Sequence, residues 1–230
     1  MSNLLAAAAF FVLLHLLVSG TRVRDALTGR IGQGPYIGLF SLASVAGLVW
    51  LGFAFAQGRG EAWNTAYWGV TPTTRYIQLA LQLVAMLLIL PGLTTPNPTS
   101  VRQEGVLERP DSVKGMLRIT RHPFLWGVTL WALGHLLVSG ERGSIVLFGA
   151  MFLLGLFGTA SIDAKRKRAL GAVWDTFAAQ TSNVPFGAIL GGRQRLNLGE
   201  IGWWRIALAV AVWAALTWAH PLLFGVSALP

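Results

Sequence analysis

Few side chains in this sequence could carry metal or proton chemistry. Its 230 residues include four histidines and no cysteine, which removes disulfides, thiolate metal sites and cysteine nucleophiles together. His15 and His135 each sit about one turn inside an apolar stretch, where an ionisable group is costly and marks a functional candidate. Neutral imidazole is a ligand for haem iron, and two helices can present one ring each to a flat macrocycle. The competing structural role for both rings is a hydrogen bond to a helix carbonyl. His122 precedes Pro123 at a helix start and His220 precedes Pro221 at a helix end, so interfacial and terminating roles suit them better. A second constellation joins Arg121 and His122 to Asp163. There Arg121 either grips a carboxylate or phosphate with both arms of its guanidinium or anchors a helix to headgroups.

The elements that must position these residues are apolar. The chain is 54% hydrophobic and 12% charged, against about 25% charged in soluble domains. Windows of roughly 17 to 20 residues with almost no charge match the length that crosses the hydrocarbon of a bilayer. They predict spans at 4–19, 36–56, 76–92, 123–138, 145–160 and 204–219. Unpaired backbone amides are too costly in lipid for anything but helix here. The expected fold is therefore an all-α, polytopic membrane bundle of about six transmembrane helices, one domain over 1–230. Trp50, Trp68, Trp126, Trp203, Trp204 and Trp218 fall near span ends, as an interfacial belt places them. The first span lacks a basic leader, and Gly20-Thr21-Arg22 is a poor cleavage site, so it is expected to remain in place.

The net charge of +9 follows from three loops and does not point to nucleic acid. Arg22, Arg24 and Arg30 fill the first; Arg102, Arg109, Lys114, Arg118 and Arg121 the third; residues 165–168, Arg193 and Arg195 the fifth. Positive-inside bias puts these loops in the cytoplasm of a bacterial inner membrane and both termini in the periplasm. That topology separates His15 from His135 in depth by roughly 15 Å, whereas one iron needs both rings at about 2 Å. A short hairpin of the fourth and fifth spans, packed through Gly149, Gly155 and Gly158, would narrow the gap. By topology alone, His15 lies closer to His122.

His15-Leu16-Leu17-Val18-Ser19-Gly20 recurs letter for letter as His135-Leu136-Leu137-Val138-Ser139-Gly140, each copy ending a span. Three intervening spans would invert one copy relative to the other; convergence of leucine-rich helix ends is the alternative. In the fifth loop Leu170, Val173, Trp174 and Phe177 share a face at helical spacing and predict an interfacial amphipathic helix. The apolar run 184–192 is too short to span and is expected to skim the interface or re-enter.

The stretch Arg121-His122-Pro123-Phe124-Leu125-Trp126-Gly127 and the stretch Leu130-Trp131-Ala132-Leu133-Gly134-His135 resemble the signature of the NnrU family. So do Gln180-Thr181-Ser182-Asn183-Val184-Pro185-Phe186, Gly199-Glu200-Ile201-Gly202-Trp203-Trp204 and the ending His220-Pro221-Leu222-Leu223-Phe224-Gly225. This resemblance implies a bacterial membrane protein linked to nitrite and nitric oxide (denitrification) metabolism, with denitrification proteins as partners. The family is similar to the 15-cis-ζ-carotene isomerases, which bind haem b and act on a polyene. That likeness implies haem b held by His15 and His135, with His122, Arg22 and Arg121 (or Arg24 and Arg118) around it, and a lipid or polyene substrate. The isomerases' cysteine has no counterpart here, and whether the chain is catalytic stays open. A more distant likeness, to membrane methyltransferases, rests on Arg121-His122-Pro123 followed by Asp163, Trp174 and Phe177. It implies an S-adenosylmethionine-dependent enzyme; a non-catalytic membrane partner of denitrification enzymes is the third alternative.

Overall fold

A computed structural model describes residues 1–109 and 111–229. The apolar runs form helices throughout. α1 (Ser2–Leu13) continues as one wider π turn (Leu14–Val18), then the chain bends by 78° into α2 (Arg22–Ile31). α3 (Gln33–Gly58), α4 (Pro72–Thr94), a four-residue α5 (Met116–Ile119) and α6 (Pro123–Val138) follow. After them come α7 (Arg142–Leu170), α8 (Ala172–Gln180), a short α9 (Gly187–Leu190) and α10 (Trp203–Phe224). Among the described residues, four helices, α3, α4, α7 and α10, are long and apolar enough to cross a membrane. The bent pair of α1 and α2 adds a fifth, and α6 is a shorter apolar helix. The expectation of about six apolar rods is met in this form.

Local chemistry explains the helix ends. Thr71 caps α4 through a reciprocal bond with Thr74, and Pro72 occupies the first turn, where its missing N–H costs nothing. Pro123 does the same for α6, which begins and ends where the sequence places it. α7 instead runs ten residues past the expected limit of 160, because residues 161–170 continue as a charged helical extension to Gly171 at φ +53. That glycine also breaks the register of the amphipathic helix. Leu170, Trp174 and Phe177 pack with Leu117, whereas Val173 turns outward at 55% exposed.

α6 lies between α4 and α7; α10 packs on α4, and α1 on α3 and α7. Leu39, Leu42 and Phe53 of α3 and Trp218 and Leu222 of α10 are exposed apolar side chains, as lipid-facing surfaces require. The basic loops gather at one end: Arg168 donates to the Gly20 carbonyl, Arg166 pairs with Glu104 and Arg118 with Glu200. The other end is closed by polar contacts of 64–68 with 140–143, among them Tyr67 N–H to the Gly140 carbonyl and Asn64 Nδ2 to Glu141. Leu4 lies beside Gly143 at this second end, and Arg59 and Arg75 donate to the Phe224 and Leu229 carbonyls, so both termini lie opposite the basic loops.

Small residues set the spacing of α6 and α7. A methyl group on Gly155 would lie 2.9 Å from the Leu125 carbonyl oxygen and closer still to the Thr129 hydroxyl; at Gly158 it would make ordinary contact, and at Gly149 it would meet open space. Only Gly155 of the three is therefore obligatory. Gly155→Leu should lower the unfolding midpoint in detergent, by the equivalent of about 1–3 kcal/mol, while Gly149→Leu leaves it unchanged; circular dichroism melts check both.

Candidate functional site

The basic end is organised around the Asp163 carboxylate on the extension of α7. Arg121 donates to it from Nε (2.9 and 3.1 Å) and from an Nη (2.6 Å). His122 Nε2 lies 2.7 Å from Oδ1, and the Asn183 amide donates at 3.2 Å. Loop segments hold these partners in place. Arg121 N–H donates to the Ser182 carbonyl and Phe186 N–H to the Ile119 carbonyl, stitching 119–121 to 182–186. The Asn183 carbonyl receives the Thr120 hydroxyl at 2.5 Å and the Trp126 indole at 2.8 Å. The His122 ring is buried, and that burial pushes its pKa below the ordinary value, against the opposing pull of Asp163. With Arg121 already supplying the positive charge, we assign a neutral ring that donates its Nε2 hydrogen to Asp163. Arg121 thus spends its bidentate face inside the protein rather than on a ligand.

Beside this network, Arg118 grips Glu200 through Nε at 2.7 Å and Nη at 2.9 Å, and Gly115 N–H adds a third bond. These bonds, Arg118's first, bring the Glu200 pKa down to about 2. α10 is thereby tied to the loop that precedes α5.

The other histidines are arranged alike. Nδ1 of His15 lies 2.8 Å from the Phe11 carbonyl, Nδ1 of His135 2.8 Å from that of Trp131, and Nδ1 of His220 2.7 Å from that of Val226. A carbonyl only accepts, so each Nδ1 carries a hydrogen, and in the neutral ring Nε2 then keeps the lone pair. Gln82 also donates to the Trp131 carbonyl, at 3.0 Å. Its 3.4 Å approach to His135 Nδ1 reflects this shared acceptor, since neither group can accept from the other there. The His135 ring stacks on Phe148 at 4.5 Å and lies 6.4 Å from the His220 ring, 24° from parallel. The His15 ring packs on Phe11 and on Phe40 of α3. The two copies of the repeated hexapeptide differ in backbone, a π turn over the first and a regular α-helical end over the second, but they share two side-chain contacts. In each the histidine bonds back one turn and the closing glycine lies tight against a neighbour, Gly20 on Ser161 and Gly140 on Trp68.

The expected pair of His15 and His135 is not brought together. α1 runs parallel to α7, with Leu4 beside Gly143 and Gly20 beside Ser161, which sets His15 level with about residue 155 of α7. His135 is level with Phe148. Seven residues of helix separate the two by about 10 Å. Arg121 and His122 stand at the opposite end of α6 from His135, about 20 Å along the helix, and Arg22 is exposed at the start of α2. The structure thus joins Arg121 to His122 through Asp163, and His135 to His220. Asn183 and Gln82 are contributors the sequence reading passed over. Gln78 and Gln82, one turn apart in an apolar span and both buried, were the available signal for the second.

Three comparisons bear on this arrangement. The family described as NnrU protein matches residues 3–228. A 15-cis-zeta-carotene isomerase, chloroplastic, of Zea mays is 34% identical over 82 residues, 36% of this chain and 22% of that protein. The Arabidopsis thaliana protein of the same name is 32% identical over 117 residues, 49% of this chain and 32% of that protein. The chain therefore spans less than a third of the length of either relative. No solved structure matches.

Asp163→Asn leaves the Arg121 guanidinium (12% exposed) without a counter-charge and should cost about 3 kcal/mol, read as a drop in the unfolding midpoint in detergent. The Glu200 carboxyl, lowered from its ordinary 4.5, stabilises fully above that value and loses its contribution as pH falls toward about 2. Glu200→Gln should accordingly flatten the acid arm of the stability profile below pH 4.5.

Proposed function

Because the chain belongs to the NnrU family, we propose that it is a membrane-embedded haem b protein with redox-dependent, isomerase-like chemistry on an unsaturated lipid or polyene in the bilayer. The carotene isomerases it resembles over part of its length support the substrate class. The proximity of the His135 and His220 rings is the observation that supports the cofactor. The two rings lie 6.4 Å apart between centroids, near enough that His135 and His220 could both hold one haem. Both rings hold their Nδ1 hydrogen on a backbone carbonyl and keep Nε2 bare, the tautomer that a metal ligand needs. His15, the partner that the resemblance implies for His135, lies about 10 Å away in depth, which favours His220 as the second ligand in this reading.

When bound, haem supplies a redox-active iron. The chain's own residues supply the rest. The Trp131 carbonyl orients the His135 ring, Gln82 fixes that carbonyl, and Phe148 covers a ring face and excludes water. Arg22, Arg121 and His122 lie too far along the bundle to take part in this site. The physiological setting in this reading is the bacterial inner membrane and its nitrogen-oxide metabolism, with the basic loops cytoplasmic and the termini periplasmic. The gathering of the basic loops at one end supports that orientation.

An absorbance spectrum of the detergent-purified protein, made under haem-sufficient expression, tests the proposal. The expected result is a Soret band that His135→Ala abolishes, that His220→Ala shifts toward a high-spin form and that His15→Ala leaves alone. A colourless protein would remove the cofactor; loss of the band in His15→Ala but not in His220→Ala would restore the family's pairing.

A further inference from the structure

A cavity of about 370 Å³ opens at the basic end where α4 stops, and it belongs neither to the Asp163 network nor to the histidines. Leu93 and Thr95 at the end of α4 line one side; Arg102, Gln103, Val106 and Arg109 from the following loop line the other. Three features mark it as more than a surface crease. The Thr95 hydroxyl is buried, with the residue 9% exposed, and makes no hydrogen bond, which is a cost unless a ligand supplies the partner. Arg102 and Arg109 form no ion pair or side-chain hydrogen bond among the described residues, although Arg118, Arg121, Arg166 and Arg168 at this end all do. Arg102 also holds a φ of +59, a left-handed backbone that residues other than glycine adopt rarely and that clusters at functional positions.

The charges lining the cavity are positive, Arg102 and Arg109; of the acids nearby, Glu108 precedes Arg109 in the chain and Asp111 is paired with Lys114. Glu104, the acid nearest in sequence to Arg102, is committed to Arg166. Arg205 of α10 donates to the Thr94 carbonyl and hydroxyl, so the negative end of the α4 dipole is already covered. The depth is that of a membrane interface. Leu93 and Val101 are 60% and 69% exposed beside the cavity, and Trp203 and Trp204 begin α10 at this end. We propose that this cavity binds the phosphate of an anionic phospholipid headgroup. Arg102 and Arg109 grip the phosphate oxygens, the Thr95 hydroxyl donates to one of them, and Leu93 and Val101 lie against the first carbons of the acyl chains.

The test uses the full chain in a neutral maltoside detergent, with thermal unfolding and native mass spectrometry as readouts. Its arms are phosphatidylglycerol, phosphatidylcholine and inorganic phosphate. Phosphatidylglycerol should raise the unfolding midpoint and remain bound in the gas phase, with phosphatidylcholine and inorganic phosphate doing neither. Arg102→Gly tolerates φ +59 and keeps the backbone, so it removes the guanidinium without threatening the fold. It and Arg109→Gln should each weaken phosphatidylglycerol binding roughly tenfold, Thr95→Val less, and Arg30→Gln, an exposed arginine at the same end, not at all. Equal weakening by Arg30→Gln, or full binding in the Arg102→Gly, Arg109→Gln double variant, would overturn the site. Stabilisation by inorganic phosphate equal to that by the lipid would overturn the lipid as its ligand.

Discussion

Burying a carboxylate is tolerable only when its lone pairs are filled, and the Asp163 oxygens are filled from three directions at once. Arg121 and His122 come from the start of α6, Asn183 from the segment after α8, and the acid itself from α7. A chain built on lipid-facing helices has little hydrophobic force to draw those helices together within the bilayer. Polar closure of this kind at the membrane surface, together with the close approach of backbones at Gly155, takes over that work. The clamp also fixes where α6 starts. Through the length of that helix it sets the level at which His135 meets His220 at the far end.

How much of this could be read from the residues differs from element to element. Spans were legible because hydrocarbon imposes a length and excludes charge, and Pro123 marks the start of α6 without reference to anything distant. The charged extension of α7 was not, because its helicity comes from packing and pairing outside the membrane, as Arg166 shows with Glu104 and the Ser100 carbonyl. The Arg121, His122 and Asp163 grouping was visible as a possibility. That it would be closed by Asn183, and so directed inward, depends on a segment sixty residues away in sequence. The histidines were visible as types, but their partners were not. Pairing in space depends on which helices run parallel, and the packing of α1 beside α7 sets His15 and His135 at different levels.

The repeated hexapeptide gives one physical meaning to what in sequence was an open alternative. In both copies a leucine-rich helix end carries a histidine that bonds to its own preceding turn, followed by a glycine that admits a neighbour's backbone or hydroxyl. The two sit at opposite ends of the bundle. The same local device has therefore been used at each surface, and only at the His135 end does a second imidazole lie near it.

The sixteen residues of α6 reach about 24 Å, whereas the oily interior of a bilayer is about 30 Å deep. A rod that falls short on one flank draws the surrounding lipid down toward it or lets water in above it. Because the lower end is pinned by Asp163, the shortfall is displaced to the end that carries His135, under the Trp68 and Gly140 closure. A dimple in the leaflet at that point would give an amphiphile a shallower way into the protein than intact membrane offers elsewhere.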